Sequence, residues 1–248
     1  MIRSTTGGFI GVGVAAALSA GTAQAQTQTL FFDNFESTTV KPQWSWVHLS
    51  AQTPFTRFSG RYSNNTIKLQ LDAPPPPPPG AYGDGGNGDG GGNGDGNNGG
   101  NGNNGGGSGF DTIRYTLTFD FYAIDSWDGN DPRHGPDRFE INNGASVIFS
   151  ETFGNVWLNQ SYREPDVGRW NMAYGSAPDA IYRNITVQFD QAPGEKVKLW
   201  FYDKGLQGLS DESWGIDNVR IQYEYVPSPA GAFLGAVSVL GSLRRRRR

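Results

Sequence analysis

The stretch Ile113-Arg114-Tyr115-Thr116-Leu117-Thr118-Phe119-Asp120-Phe121 alternates apolar and polar side chains with a period of two. Successive side chains of a β-strand point to opposite faces of its sheet, so this pattern predicts a strand with one buried face and one polar face. An amphipathic helix would instead repeat its apolar residues every three or four positions. The stretch therefore decides the fold class in favour of β-sheet packed on an apolar core.

Eight further segments have the composition or the alternation of strands, and turn residues such as Asp128-Gly129, Asn143-Gly144 and Pro193-Gly194 separate most of them. They cover residues 30–35, 44–49, 66–71, 137–141, 147–153, 181–189, 197–202 and 215–225. Nine strands without a helical pattern between them predict an all-β protein. The expected architecture is a two-sheet antiparallel β-sandwich with jelly-roll topology.

The two ends of the chain have the composition of processing segments. Residues 1–25 combine Arg3, an apolar run of small residues at 7–20 and Ala23-Gln24-Ala25, the pattern of a cleaved signal peptide. Residues 226–248 combine a proline motif, the uncharged apolar run 230–243 and a block of arginines. We expect a short hydrophobic helix at each end. The C-terminal helix would span about 21 Å against a hydrocarbon core of ~30 Å, which predicts only transient contact with a membrane.

The C-terminal segment resembles the PEP-CTERM sorting signal of bacterial exported proteins. It has the same order of motif, apolar helix and basic cluster, with Ser228 in place of the usual glutamate. The resemblance implies an exosortase-type processing enzyme as partner, and release or attachment at the cell surface after cleavage. A basic amphipathic tail and a plain C-terminal anchor are the alternatives. The residues that carry the resemblance are Val226, Pro227, Ser228, Pro229, Arg244, Arg245, Arg246, Arg247 and Arg248.

The charge of the chain changes once the two ends are set aside. Together they hold six of the 20 basic residues and no acidic one, so the remainder carries 14 basic and 24 acidic side chains, a formal charge near −10. A net charge this negative argues against nucleic-acid binding, which requires a basic surface. The absence of cysteine from the sequence excludes disulfides, zinc–thiolate sites and cysteine nucleophiles.

The middle of the chain contains a low-complexity segment at residues 73–109. Six prolines at 74–79 are followed by a run made almost wholly of Gly, Asn and Asp. Such a segment has nothing to bury and predicts a disordered loop. Because strand patterns lie on both sides of it, we expect it to interrupt a single β-sandwich domain of residues 26–225.

A structural calcium site is predicted near the first and last strands. The motifs Asp33-Asn34-Phe35-Glu36 and Ile216-Asp217-Asn218-Val219 resemble those of concanavalin A-like and carbohydrate-binding-module jelly rolls, and of the MAM domain. The resemblance implies that Glu36 and Asp217, with Asp33 and Asn218, flank a Ca²⁺ ion. Residues 217, 219, 221 and 223 share the apolar parity, which predicts that Asp217 points inward. Hydrogen-bonded structural carboxylates are the alternative.

Two similar motifs occur at strand ends, Asp125-Ser126-Trp127-Asp128-Gly129 and Asp211-Glu212-Ser213-Trp214-Gly215. One interpretation makes Trp127 and Trp214 core residues and the acids turn caps. The other makes the motifs a second cation or ligand site. Trp127, Trp214, Trp200 and Tyr202 are also candidates for stacking on sugar rings, although aromatic residues in sandwiches are mostly core.

Signatures of catalysis are weak in this sequence. It has no Gly-x-Ser-x-Gly motif, and its two histidines are isolated from each other. We therefore expect an exported cell-surface or matrix protein, non-catalytic, that binds an extracellular polysaccharide or another polymer and contains a structural calcium. A polysaccharide-active hydrolase or lyase and a purely structural biofilm component remain alternatives.

Overall fold

The computed structural model describes residues 26–77, 110–157, 159–172 and 174–227, and in these ranges it has twelve β-strands and no helix. The strands form two antiparallel sheets, which confirms the predicted all-β sandwich class. They are β1 (Gln28–Asp33), β2 (Trp44–Ser45), β3 (Leu49–Ala51), β4 (Arg57–Tyr62), β5 (Thr66–Leu71), β6 (Phe110–Asp125), β7 (Arg138–Asn142), β8 (Val147–Thr152), β9 (Val167–Trp170), β10 (Asp179–Gln191), β11 (Val197–Lys204) and β12 (Glu212–Pro227).

The larger sheet has seven strands in the order β3-β4-β12-β6-β10-β9, with β1 pairing along the second half of β12. Its centre is the long pair β6 and β12, in which Leu117 lies opposite Ile221 and Phe121 opposite Ile216. The smaller sheet has five strands in the order β2-β5-β11-β7-β8. The start of β12 and the end of β6 are therefore neighbours, since Glu212 pairs with Asp125.

The main core lies between the sheets and is rich in phenylalanine. Phe119 and Phe121 of β6 meet Phe139 of β7 and Phe201 of β11, with ring centroids 4.5 to 6.1 Å apart. All four side chains are fully buried. Burial of each such side chain stabilises the fold by about 1.5–3 kcal/mol. The apolar residues that alternate along β6 are the ones that pack on this core.

A second, smaller core lies on the outer face of the seven-stranded sheet. Phe55, Phe58, Tyr122, Ile124 and Ile181 form it. The partly buried Val167, Met172 and Tyr174 pack against it. This part of the sheet is consequently buried on both faces, and the strands within it lose the simple alternation of polar and apolar residues.

The predicted inward orientation of Asp217 is wrong, because β12 contains a β-bulge at this position. The pairing of β12 with β6 shifts register between Asp217 and Arg220, and Asn218 has a φ of 51°. Ile216 and Val219 consequently both enter the main core. Asp217 lies opposite Asp120, on the outer face with Tyr122, and not on the core face that parity had predicted.

Other differences from the predicted strands are local. Strands β4 and β9 were not predicted, and the segment predicted at 44–49 is two strands, β2 and β3, that belong to different sheets. None of the described residues forms a helix long and apolar enough to cross a membrane. The terminal helices, and residues 78–109 of the predicted loop, lie outside the described residues. The jelly-roll topology and the concanavalin A-like resemblance stay predictions.

Candidate metal centre

The two similar Asp/Ser/Trp motifs contact each other where β6 ends and β12 begins. Ser126 Oγ donates a 2.8 Å hydrogen bond to Asp211 Oδ1, and Trp127 Nε1 donates a 2.7 Å hydrogen bond to the carbonyl of Ser213. Antiparallel pairing of the two strands places the motifs side by side. The two similar motifs therefore form a single site, although they are far apart in the sequence.

Three acidic residues converge at this place: Asp128 after β6, Asp137 before β7 and Glu212 at the start of β12. One carboxylate oxygen of each lies within 4.8 Å of the other two. Asp137 and Glu212 are fully buried, and Asp128 is 8% exposed. Among the described residues they form a group that could hold a metal ion.

Hydrogen bonds fix one oxygen of two of these carboxylates and leave the other without a donor. The backbone N–H of Asp128 donates to Asp137 Oδ2, and the backbone N–H of Gln207 donates to Glu212 Oε2 at 2.9 Å. Asp137 Oδ1 and Glu212 Oε1 are buried, and no donor from another residue reaches them. The two carboxyl groups can hydrogen-bond to each other when one of them is protonated. With both carboxylates ionised, the site would need a cation.

The pKa values of all three carboxyl groups are raised. Burial raises the pKa of Glu212, and the neighbouring Asp137 and Asp128 raise it further. Burial likewise raises the pKa of Asp137, against the opposing effect of the Asp128 N–H. The pKa of Asp128 is also raised by burial, which exposed His134 partly offsets. Each shift means that the ionised form is disfavoured in this place unless a cation is present.

The loops that carry the triad are held in place by backbone contacts. The N–H of Asp137 donates to the carbonyl of Gly129 at 2.9 Å, which closes the loop between β6 and β7. The connection from β11 to β12 passes over this loop at Gly205, where φ is +100° and an added Cβ would lie 2.2 Å from the Pro136 carbonyl oxygen. A side chain at residue 205 would therefore push the two loops apart.

The residues predicted to bind calcium have other surroundings. Asp33 lies on the core face of β1 and accepts hydrogen bonds of 3.0 Å from Trp44 Nε1 and from the Phe35 N–H. Asp217 lies on the outer face and accepts from Tyr122 Oη at 3.0 Å and from its neighbour's N–H at 2.7 Å. Glu36 is exposed. The structure thus separates Asp33 and Asp217 on opposite faces of the sheet.

Asn218, the fourth predicted ligand, donates through Nδ2 to Asp120 Oδ2 at 2.9 Å. Its amide group is therefore committed to the strand pairing next to the bulge. Asp33, Asp217 and Asn218 are thus paired with protein groups and Glu36 is exposed, whereas the triad has buried oxygens that no donor from another residue reaches. Calcium at Glu36 and Asp217 stays a prediction.

The four predicted sugar-binding aromatics fall into two classes. Trp127 and Trp214 are fully buried, and Trp214 Nε1 donates a 2.7 Å hydrogen bond to Asp203 Oδ1. Both belong to the main core. Trp200 and Tyr202 are half-buried on the outer face of the five-stranded sheet. Only the second pair is placed where a polymer has access.

Comparison with known proteins adds no identification. No protein-family model matches the chain, and no match was found among curated proteins. The site therefore rests on its own geometry. The paired motifs pointed to Asp128 and Glu212 as parts of a possible cation site, but nothing in the sequence singled out Asp137 as the third member.

Proposed function

We propose that the protein is an exported, non-catalytic binding module whose β-sandwich is stabilised by a calcium ion held by Asp128, Asp137 and Glu212. The observation that carries the proposal is the pair of buried, donor-free oxygens, Asp137 Oδ1 and Glu212 Oε1, within reach of the third carboxylate. A divalent cation there would supply the missing positive charge to both. It would also tie the loop after β6 to the start of β12.

Calcium fits the donor set better than other common metals. The three side chains offer only oxygen, the ligand type that Ca²⁺ and Mg²⁺ prefer, and the group contains no histidine or cysteine for zinc or copper. Magnesium demands near-ideal octahedral geometry and keeps several waters, which a buried cluster of carboxylates does not favour. Extracellular modules bind Ca²⁺ with dissociation constants of about 10⁻⁴–10⁻³ M, which suits an exported protein.

Export is inferred from the ends of the chain. The signal-peptide pattern of residues 1–25 would direct the protein out of the cytoplasm, and the PEP-CTERM-like tail of residues 226–248 would present it to an exosortase-type enzyme. Both segments lie outside, or almost wholly outside, the described residues. After processing, the acidic domain would act at the cell surface or in the extracellular matrix.

The burial of the triad favours a structural role over hydrolysis. Retaining glycosidases place two carboxyl groups about 5–5.5 Å apart on either side of an open cleft. Asp137 and Glu212 have carboxylate oxygens within 4.8 Å of each other, but both side chains are fully buried, so a sugar chain has no access to them. A polysaccharide hydrolase remains the alternative function, and release of reducing ends from a polymer would support it.

Thermal melting tests the proposal. The purified protein would be stripped with EDTA, dialysed, and melted with and without 5 mM CaCl₂, with MgCl₂ at equal ionic strength as control. At a dissociation constant of about 10⁻⁴–10⁻³ M, 5 mM calcium stabilises the folded state by about 1–2.3 kcal/mol, so calcium would raise the Tm by roughly 2–9 °C. An equal Tm in EDTA, magnesium and calcium would end the calcium proposal.

A further inference from the structure

The outer face of the five-stranded sheet carries an unusual combination of aromatic and basic side chains. Lys198, Trp200, Tyr202 and Lys204 alternate with core residues along β11, and Lys68 of β5 lies opposite Trp200. Trp46, just after β2, is 64% exposed beside them. We call these six residues, Trp46, Lys68, Lys198, Trp200, Tyr202 and Lys204, the aromatic–basic face.

The face has a defined geometry at its centre. Lys68 Nζ lies 4.5 Å from the centroid of the Trp46 ring and 4.7 Å from that of the Trp200 ring, so its ammonium group is held between two indoles. Lys204 Nζ lies 2.8 Å from Glu140 Oε2 and 5.6 Å from the Tyr202 ring. The aromatic rings and the lysine ammonium groups of this face therefore contact one another and form one continuous surface.

The charge of this face is opposite to that of the protein. Residues between the two processing segments carry a formal charge near −10, from 14 basic and 24 acidic side chains. The aromatic–basic face contains three lysines, and the adjacent β7 adds Arg138 and only one acid on that face, Glu140. A local cationic surface attracts an anionic partner even though the protein as a whole is acidic.

A cleft continues the face at its edge. It has a volume of about 300 Å³ and is lined by Trp46, His48, Tyr62, Asn64, Asn65 and Thr66. Trp46 belongs to both the face and the cleft, and Thr66 lies opposite Tyr202 in the strand pairing. An extended ligand that stacks on Trp46 and Trp200 would therefore also reach polar groups.

We propose that the aromatic–basic face binds an acidic polysaccharide built of carboxylated sugar rings. Apolar faces of the rings would stack on Trp46 and Trp200, and their carboxylates would pair with Lys68 and Lys198. The proposal rests on the proposed function as a polymer-binding module and gives it a ligand class. A neutral glycan would use the indoles but offer no carboxylate to Lys68 or Lys198, so the charges select the acidic polymer.

Affinity electrophoresis of the full chain in native gels tests this, with polygalacturonate as the acidic polymer and hydroxyethylcellulose as the neutral one. The gels would be run without added calcium, because calcium cross-links polyuronates. We expect retardation by polygalacturonate alone, and its loss in 0.5 M NaCl, where the Debye length falls to a few ångströms. No retardation by polygalacturonate would overturn the proposal.

Variants locate the contact. Trp46→Ala and Lys198→Ala change exposed side chains, and each should weaken binding about tenfold. The matched controls are Trp170→Ala, whose indole is 55% exposed on β9, and Arg114→Ala, whose guanidinium pairs with exposed Asp190. Equal loss in test and control variants would contradict the assignment. Stronger retardation by oligo(dT) than by polygalacturonate would replace it with nucleic-acid binding.

The same variants separate this proposal from the calcium proposal. Trp46→Ala should keep the calcium-dependent rise in Tm, because residue 46 is not part of the triad. If polygalacturonate binds but calcium leaves the Tm unchanged, the calcium proposal alone fails. If calcium raises the Tm but polygalacturonate does not bind, the ligand class alone is wrong.

Discussion

Asp137 and Glu212 are 75 residues apart in the sequence, yet both are fully buried with carboxylate oxygens within 4.8 Å of each other. Each has one oxygen bound to a backbone N–H and one without a donor. Two buried carboxylates in this arrangement need either a proton or a cation between them.

Neutralising one member of the triad should abolish the stabilisation by calcium. Burial raises the pKa of Glu212 to about 9, so at pH 7 in EDTA Glu212→Gln replaces one neutral side chain with another and should melt close to the wild-type temperature. In 5 mM calcium the wild type should gain stability and the variant should not. Differential scanning calorimetry compares the Tm values of the two proteins in both buffers. Glu36→Gln, an exposed change of the same chemistry, is the control and should keep the full calcium effect.

Asp203 should be important for folding because it anchors a buried indole. Its carboxylate accepts from Trp214 Nε1 at 2.7 Å and from the Asn64 N–H at 2.8 Å. Asp203→Ala leaves both donors unpaired and should cost about 2–4 kcal/mol in urea denaturation. Asp190→Ala, which removes an exposed partner of Arg114, should cost less than about 1 kcal/mol. Equal losses would contradict the buried role of Asp203.

Asn155 should be a second structural position. Its buried side-chain amide donates to the carbonyls of Ala123, Asp125 and Pro178 at 2.8 to 3.0 Å, joining β6 to the segment before β10. Asn155→Ala should destabilise by about 2–3 kcal/mol. Asn171→Ala, whose exposed amide donates to Gly175 O, should stay within about 0.5 kcal/mol of the wild type. Chemical denaturation followed by tryptophan fluorescence compares the two.

Asp217 should make stability depend on pH. Burial raises its pKa to about 6, above its ordinary value near 3.8. The folded state then binds the proton more tightly than the unfolded state. This contribution is most favourable below pH 4 and is lost as the pH rises through 6. Asp217→Asn should remove a decrease on the order of 2 kcal/mol between pH 4 and pH 7.

Denaturation of wild type and Asp217→Asn at several pH values gives the difference between the two curves. Because Asp125 and other buried acids also titrate, only this difference is informative. A difference that does not change between pH 4 and pH 7 would mean that the pKa of Asp217 is not raised. A calcium effect lost in this variant would instead support the site predicted at the first and last strands.

Much of the fold follows from the sequence because most strands bury one face. Ile113 to Phe121 lies within β6, and residues 66–71 match β5. Strand β4 lacks this signal because the second core covers its outer face, so Phe58, Ser59 and Gly60 are buried in succession. The bulge at Asp217 adds one residue to β12 and so reverses which residues face the core on either side of it. The alternation of apolar and polar residues in the sequence does not reveal this insertion.

The site was partly visible for a similar reason. The two Asp/Ser/Trp motifs suggested a cation site as one of two interpretations, and the structure brings Asp128 and Glu212 of these motifs together. Their tryptophans are core residues, as the other interpretation held. Asp137 joins them only because the Gly129 carbonyl and the Asp128 N–H close the loop between β6 and β7. These contacts form only in the folded protein, so the spacing of residues in the sequence could not predict them.

The most direct measurement is the anomalous scattering of a lanthanide in crystals of the calcium-free protein soaked with a few millimolar ytterbium. We expect one strong peak among the carboxylates of Asp128, Asp137 and Glu212, absent from crystals of Glu212→Gln. A peak beside Glu36 and Asp217 would place the ion at the other predicted site. That result, or the absence of any peak at the triad, would contradict the account.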